Sequence, residues 1–153
     1  MNTDCIDYNE EQLNALVEDI MKIHDFLIKE QGLNAVRPES RAKINSAAYA
    51  CFVSKYGLPF NETHNYNDIY DQVSDFAYHL ALDHPFADAN KRTTVMTTLV
   101  LLYINEINIE FNDSKTITHN KLYKWIQDLI QRNKTRQELA QELRENSTPL
   151  TTN

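Results

Sequence analysis

A histidine, a carboxylate, an amide and two cations stand close together in the segment His84-Pro-Phe-Ala-Asp-Ala-Asn-Lys-Arg-Thr93. Histidine is the side chain that exchanges a proton near neutral pH, so His84 is the candidate general base. Asp88 offers the carboxylate that Mg²⁺ commonly takes together with phosphate oxygens. These residue types predict a site that handles a phosphorylated ligand.

The segment leads into Thr94–Tyr103, which is uncharged and largely apolar and is typical of a buried helix. The first N–H groups of a helix are unpaired and its dipole is positive there, so an anion binds well. Carboxylates are the usual charged residues of a first turn, whereas here Lys91 and Arg92 occupy it. This inversion of the usual charge preference indicates that the ligand of the site is a polyanion such as a di- or triphosphate. Asn90 either donates its amide to a phosphate oxygen or orients the loop, and the pattern suits phosphoryl or nucleotidyl transfer.

Each of these residues also has an ordinary structural interpretation. A histidine at a helix end is more often a capping or surface residue. Lys91 and Arg92 could be a solvated pair, and Asp88 a helix cap. The other histidines show no partner spacing and keep the structural interpretation: His24, His64, His79 and His119. The sequence shows neither a zinc-ligand pattern nor a serine triad.

The composition narrows the class of protein without identifying it. The 153 residues are 42% hydrophobic and 24% charged, which is ordinary for a globular protein. A net charge of −7 argues against nucleic acid as the main partner. The absence of a long apolar run and of a secretory signal favours a cytoplasmic protein without a membrane partner. Cys5 and Cys51 form no disulfide framework or metal pattern.

Long patterns of period 3.6 and only two glycines predict an all-α fold of about six helices. The first helix spans about 9–31, with a capping box at Asn9 and Gln12 and a C-terminal cap at Gly32. Pro38 takes the first position of the second, which ends at Gly57. Because both glycines terminate helices, a phosphate-binding glycine loop is excluded.

The remaining elements surround the polar segment. Residues 57–66 have no helical period and are expected to form a loop or short hairpin. Asn65 or Asn67 caps the third helix, which stops near Asp83 because Pro85 follows. The fourth helix, at about 90–106, lies in the middle of the bundle, and its threonine hydroxyls bond back to the preceding turn.

The C-terminal part is predicted to contain two more helices. Asn108 takes a left-handed conformation, 109–111 is a short extended piece, and Thr118 caps the fifth helix. Thr135 and Glu138 form the capping box of a sixth helix that ends near Glu145. We expect a single domain over residues 1–146 and a disordered tail over 147–153.

At the polar segment the sequence resembles the Fic/Doc family, whose signature is His-x-Phe-x-(Asp/Glu)-(Gly/Ala)-Asn-(Gly/Lys)-Arg. The corresponding residues are His84, Phe86, Asp88, Ala89, Asn90, Lys91 and Arg92. The resemblance covers roughly residues 10–130. It implies a helical bundle in which a flap precedes the motif and the motif loop leads into a central helix.

Two departures make the chain similar to one branch of that family. AMP-transferring members usually read Gly-Asn-Gly-Arg-x-x-Arg, but here Lys91 replaces the second glycine and Val95 the second arginine. Both point to the Doc (death-on-curing) branch of toxin–antitoxin modules. That resemblance implies a kinase that transfers the γ-phosphate of ATP to a threonine of elongation factor Tu and blocks translation. AMP transfer to a protein hydroxyl and a non-catalytic binding role remain the alternatives.

The resemblance also implies a role for each motif residue. His84 would deprotonate the target hydroxyl, and Asp88 would bind Mg²⁺. The phosphates of ATP would be held by Ala89, Asn90, Lys91 and Arg92, of which Lys91 and Arg92 would also assist catalysis.

The resemblance further implies two partners and leaves one regulatory question open. Residues 57–66 would be the flap that aligns the main chain of the protein substrate by strand pairing. A separately encoded, basic antitoxin would cover part of the acidic surface. Residues 141–146, Gln-Glu-Leu-Arg-Glu-Asn, match an inhibitory helix of some AMP-transferring members only in part, so a solvated helix face is favoured over self-inhibition.

Overall fold

The computed structural model describes residues 1–29, 37–110 and 120–150 of the chain. Seven helices and a two-stranded sheet occur within these ranges, and they confirm the all-α fold class. In chain order the elements are α1 (Glu10–Lys29), α2 (Ser40–Phe52), α3 (Phe60–Thr63), α4 (Ile69–Leu82), α5 (Asn90–Ile104), β1 (Ile107–Ile109), α6 (Lys121–Ile130), α7 (Arg136–Glu145) and β2 (Ser147–Pro149).

Helix α5 contacts α1, α4, α6 and β1, as expected for a helix in the middle of the bundle. Val95, Leu101 and Leu102 of α5 are buried in the shared core. Thr94 Oγ1 donates to Asn90 O and Thr98 Oγ1 to Thr94 O, both at 2.8 Å. The hydroxyls of Thr94 and Thr98 are thereby satisfied inside the bundle, as predicted. The buried hydroxyls of Thr93 and Thr97 have no partner among the described residues, so for these two the prediction is wrong.

Several predicted helix ends are confirmed by hydrogen bonds. Asn9 N donates to Gln12 Oε1 and Gln12 N to Asn9 Oδ1, at 3.0 and 2.9 Å. Thr135 and Glu138 form the reciprocal capping box of α7. Helix α4 ends at Leu82, immediately before Asp83. The predicted cap at Gly32 lies outside the described residues.

Other helix ends differ from the prediction. Asp68, rather than Asn65 or Asn67, caps α4, because its carboxylate accepts from Asp71 N at 3.1 Å. Asn120 caps α6 by accepting from Tyr123 N at 2.8 Å, so the cap predicted at Thr118 is wrong.

The boundaries of α2 and α5, which are the predicted second and fourth helices, also differ from the prediction. Pro38 lies in a turn before α2 instead of at its first position, and α2 ends at Phe52. After α5 the left-handed residue is Glu106, with φ 63°, while Asn108 is paired in β1.

Residues 57–66 contain one helical turn, α3, and no hairpin. Phe60 is buried, and its ring centroid lies 4.9 Å from that of His64 and 6.1 Å from that of Tyr66. The sequence pattern missed this local aromatic packing, which folds the segment on itself. Gly57 does take a left-handed turn, with φ 67°.

The expected disordered tail begins instead with a strand. Residues Ser147–Pro149 pair antiparallel with Ile107–Ile109, so that Ile109 is opposite Ser147. Ile107 is buried, and Tyr70 OH donates to Ser147 Oγ at 2.8 Å, which together hold the pair on the bundle. Residues 151–153 lie outside the described part.

Within the described ranges, no helix combines the length and apolar character needed to cross a lipid bilayer.

Candidate active site

The loop between α4 and α5 bends at two residues with left-handed backbone, His84 (φ 46°) and Ala89 (φ 62°). Such a conformation costs a non-glycine residue about 1 kcal/mol or more, and it persists only where the surroundings impose it. Pro85 follows the first bend, and the second serves as the N-cap of α5. The two bends turn the chain from the end of one helix into the start of the next.

Buried groups fix the loop to the bundle. Phe86 is fully buried, and its ring stacks on that of His24 in α1 at a centroid distance of 3.5 Å. The first residue of α2, Ser40, donates its hydroxyl to Pro85 O at 2.6 Å. Helices α1 and α2 therefore both hold the loop from the core side.

The side chain of Asn90 closes the loop. Asn90 Nδ2 donates to Phe86 O at 2.9 Å, and Phe86 N donates to Asn90 Oδ1 at 3.0 Å. Of the two roles considered for Asn90, these contacts favour orienting the loop over binding a phosphate.

The structure brings all the candidate catalytic, phosphate-binding and metal-binding residues predicted from sequence to one open cavity of about 470 Å³, while Phe86 of the motif lies buried beneath the loop. The lining of this cavity consists of His84, Ala87, Asp88, Ala89, Asn90, Lys91, Arg92 and Tyr123. His84 is exposed, and among the described residues its ring has no hydrogen-bond partner. The imidazole is therefore open to an incoming substrate.

The cavity has the electrostatic character of an anion site. No side chain caps the N-terminus of α5, so the first N–H groups of this helix have no side-chain acceptor. Lys91 and Arg92 are partly buried there, and neither forms an ion pair with another described residue. Unpaired cations beside free backbone donors suit a polyphosphate.

The environment of the Asp88 carboxylate suits the role of a ligand to Mg²⁺. Its side chain is exposed at the cavity, and one oxygen, Oδ1, accepts from Ala89 N at 2.7 Å. The second oxygen has no hydrogen-bond donor among the described residues. One carboxylate oxygen beside a phosphate site matches the few protein ligands that Mg²⁺ takes while keeping its water.

Tyr123 and His24 belong to the site but were not predicted from the sequence. Tyr123 is partly buried, and its place at the start of α6 adds an aromatic wall to the cavity. His24 was assigned an ordinary place on an apolar helix face, yet its Nε2 lies 3.1 Å from Asp88 O. Spacing gave no signal for either contact, because both join segments far apart in the chain.

The flap predicted at residues 57–66 does not border the motif cavity. These residues line a separate cavity of about 630 Å³ together with Cys5, Asp7 and Ser54. The start of α2 lies closer to the motif, since Ser40 contacts Pro85 and Lys43 Nζ donates to Asp83 O at 3.2 Å. Substrate alignment by 57–66 has no support from this geometry.

A second group of potential metal ligands lies at Cys51, Asp75 and His79, whose ligand atoms are all within 4.8 Å of one another. Asp75 also accepts hydrogen bonds from Arg136 and Tyr66. Burial alone would raise the pKa of the Asp75 carboxyl, but hydrogen bonds from His79, Tyr66 and Arg136 hold it below its usual range. The Arg136 guanidinium supplies the cation here, so the group ties α4 to α7.

Helix α7 is placed for packing and does not line the motif cavity in the described part of the chain. Arg144 pairs with Asp68 and Asp71, at 2.9 and 3.3 Å. Glu145 accepts from Gln141 at 2.8 Å, and neither reaches the loop. Glu145 is exposed, which agrees with a solvated face at that residue, whereas Leu143 of the same helix is buried in the core. Within the described residues this arrangement gives no support to self-inhibition.

Comparison with known proteins agrees with the loop geometry. The model of the Fic/DOC family matches residues 13–102, which include most of α1, all of α2, α3 and α4, the loop and most of α5. No curated protein matches the chain significantly. Because the family match covers more than half of the sequence and contains every motif residue, the chain belongs to the Fic/DOC family.

Proposed function

We propose that this protein is a toxin of the Doc type, which transfers the γ-phosphate of ATP to a threonine of elongation factor Tu in the cytoplasm. Family membership supports the coarser activity, transfer of a group from a nucleotide to a protein. The observation that carries the finer proposal is Lys91, which lines the cavity in the first turn of the uncapped helix α5. AMP-transferring relatives usually have glycine at that position.

The reaction uses the groups around the cavity in a defined order. His84 accepts the proton of the threonine hydroxyl, and the oxygen attacks the γ-phosphorus while the bond to the β-phosphate oxygen breaks. Phosphothreonine and ADP result, and His84 returns its proton to water. When bound at Asp88, Mg²⁺ neutralises part of the phosphate charge.

Lys91 and Arg92 hold the phosphates by charge, and the N–H groups of α5 add donors that need no rearrangement. Ala89 and Asn90 shape the turn from which those N–H groups point. AMP-transferring relatives usually have a glycine at position 91, which leaves space beside the backbone for the α-phosphate. In this chain the Lys91 side chain would fill that space. The nucleotide therefore presents its terminal phosphate to His84.

The test is to incubate the protein, free of antitoxin, with elongation factor Tu and ATP labelled at either the α- or the γ-phosphate. Transfer of the γ label is expected. Transfer of the α label would overturn the kinase in favour of AMP transfer, and no transfer from either would favour a binding role.

His84→Ala is the control for that experiment. Because His84 is exposed, this substitution should leave the melting temperature unchanged while reducing transfer at least about 100-fold. Full activity of the variant would remove His84 from the role of base.

The proposed antitoxin follows from the same family resemblance and from the net charge of −7. A basic partner would gain from the opposite charge of this surface. Its binding should weaken as the salt concentration rises, which titration calorimetry would measure; binding independent of salt would contradict the electrostatic part of the proposal.

A further inference from the structure

His24 is a polar side chain buried beneath the motif loop. It lies on α1, is fully buried, and is separated from Asp88 by 64 positions in the chain. Its ring is nearly parallel to that of Phe86, with an interplanar angle of 5°. Burying a polar group without a hydrogen bond costs free energy, so a buried imidazole needs at least one hydrogen-bond partner to offset that cost.

The compensation comes from one hydrogen bond with a fixed direction. His24 Nε2 lies 3.1 Å from the carbonyl oxygen of Asp88. A carbonyl can only accept, so Nε2 carries the hydrogen and donates it. Nδ1 is buried and has no partner among the described residues, which favours the neutral ring with a bare Nδ1.

This bond restrains the backbone of Asp88, the residue that would hold the metal. The Asp88 carbonyl is held by α1, while its Oδ1 accepts from Ala89 N at 2.7 Å. Ala89 in turn has the left-handed conformation that starts α5. Both hydrogen bonds thus act on the peptide group that joins Asp88 to Ala89: His24 holds its carbonyl oxygen, and Asp88 Oδ1 accepts from its N–H. With Oδ1 held in this way, the orientation of the remaining carboxylate oxygen is also set.

We propose that His24 is a positioning residue for the active site, which holds the Asp88 carboxylate in place for a divalent cation by donating Nε2–H to the Asp88 carbonyl. The proposal rests on the proposed metal role of Asp88 but does not depend on which phosphate of ATP is transferred. The stack on Phe86 sets the plane of the ring, and the hydrogen bond sets the position of Asp88.

The first test detects the hydrogen bond from His24 to the Asp88 carbonyl in the protein without nucleotide or metal. Long-range ¹H–¹⁵N correlation spectra of the ¹⁵N-labelled protein report the tautomer of each imidazole, and a His24→Gln spectrum identifies the His24 signals. We expect the Nε2–H tautomer with a bare Nδ1. An Nδ1–H tautomer would overturn the proposal even if no variant folded well.

The second test separates positioning from general stability by Mn²⁺ binding in the presence of a non-hydrolysable ATP analogue. His24→Phe keeps an aromatic ring but removes the donor, so the Mn²⁺ affinity should fall about fivefold. His24→Gln keeps a donor at the end of the side chain and should recover most of the wild-type affinity. His64→Gln, a substitution at a partly buried histidine outside the cavity and outside the group of Cys51, Asp75 and His79, should leave it unchanged.

Wild-type affinity in His24→Phe would overturn the proposal, as would equal losses in His24→Phe and His24→Gln. So would an equal loss in His64→Gln, because it would show a general effect of stability. Absence of Mn²⁺ binding by the wild type would refute the metal role of Asp88. Transfer of the α label would refute the proposed kinase alone and leave the Mn²⁺ result standing.

Discussion

Lys91 and Arg92 place two side-chain charges in a helix turn whose backbone dipole is already positive. Neither is neutralised by another described residue, whereas Arg136 and Arg144 elsewhere are paired with aspartates. Arg136 and Arg144 thus have structural carboxylate partners, whereas Lys91 and Arg92 line the cavity without one in the described part of the chain and are the cations that we propose to bind phosphate. Of these two, Lys91 is the residue whose identity would select the reaction, because its side chain would occupy space beside the phosphates.

Lys91→Gly should change which phosphate is transferred. Removing the side chain takes away one charge from the γ-phosphate site, so γ transfer should fall about 100-fold. It also opens the space required for the α-phosphate, so some α transfer should appear. Parallel reactions with α- and γ-labelled ATP measure both.

Lys91→Ala is the control, since it removes the charge but retains a Cβ beside the backbone. It should lose γ transfer without gaining α transfer. Undiminished γ transfer by Lys91→Gly would show that position 91 does not select the reaction.

Helices α4 and α7 are joined by charge as well as by apolar packing. Asp75 of α4 takes hydrogen bonds from Arg136 and Tyr66, and Arg144 of α7 pairs with Asp68, the cap of α4. His79, one turn after Asp75, lies 3.4 Å from the same carboxylate. The contact holds the helix that ends at the active-site loop, so its strength bears on how firmly that loop is supported.

The pH dependence of stability should report this contact. The hydrogen bond that His79 donates to the Asp75 carboxylate raises the pKa of His79 above its ordinary value of 6.5. A raised pKa in the folded state stabilises the protein below 6.5, and this contribution is lost as the pH rises through the folded value. Because His79 is partly exposed, the effect should be only about 0.5 kcal/mol.

Urea unfolding of the wild type and His79→Gln, at about pH 6 and about pH 8, measures the effect. The free-energy difference between the two proteins should be larger at the lower pH. An equal difference at both values would mean that the His79 charge does not stabilise the fold.

At the scale of the whole molecule, the C-terminal strand closes the bundle next to the central helix. Strand β1 follows the C-terminal end of α5, and β2 follows α7 and pairs with β1. Residues 147–149 therefore lie next to the C-terminal end of α5. Glu110 N donates to Asn146 O and Leu150 N to Glu106 O, at 2.9 and 3.1 Å, on either side of the pair. The strand pair therefore contributes to the stability of the bundle that supports the site.

Ending the chain after Asn146 should destabilise the protein. The strand pairing is lost and Ile107 becomes more exposed, which together should cost about 2 kcal/mol of unfolding free energy. Urea unfolding measures the loss. Ending the chain after Leu150 keeps β2 and serves as the control, and equal unfolding midpoints for the two truncated proteins would contradict the role of the strand.

The features that were predicted correctly depend on neighbours in sequence. Asn9 with Gln12 and Thr135 with Glu138 are capping pairs three residues apart, and Pro85 forces the end of α4. The motif residues share a cavity because they lie on one short loop.

The features that were missed depend on distant packing. The contacts of His24 with Asp88 and of Tyr123 with the cavity arise only when helices far apart in the chain meet. Ser147 pairs with Ile109 because a buried edge becomes available after folding. Residues 57–66 fold around Phe60, and no hydrophobic periodicity in the sequence predicts such a local aromatic cluster.

The most direct test of the central claim is to identify the modified residue itself. Elongation factor Tu is incubated with the protein and ATP, digested, and its peptides are sequenced by tandem mass spectrometry. Our account predicts a phosphothreonine that is present with the wild type and absent with His84→Ala. An AMP-modified residue, or elongation factor Tu that stays unmodified by the wild type, would contradict it.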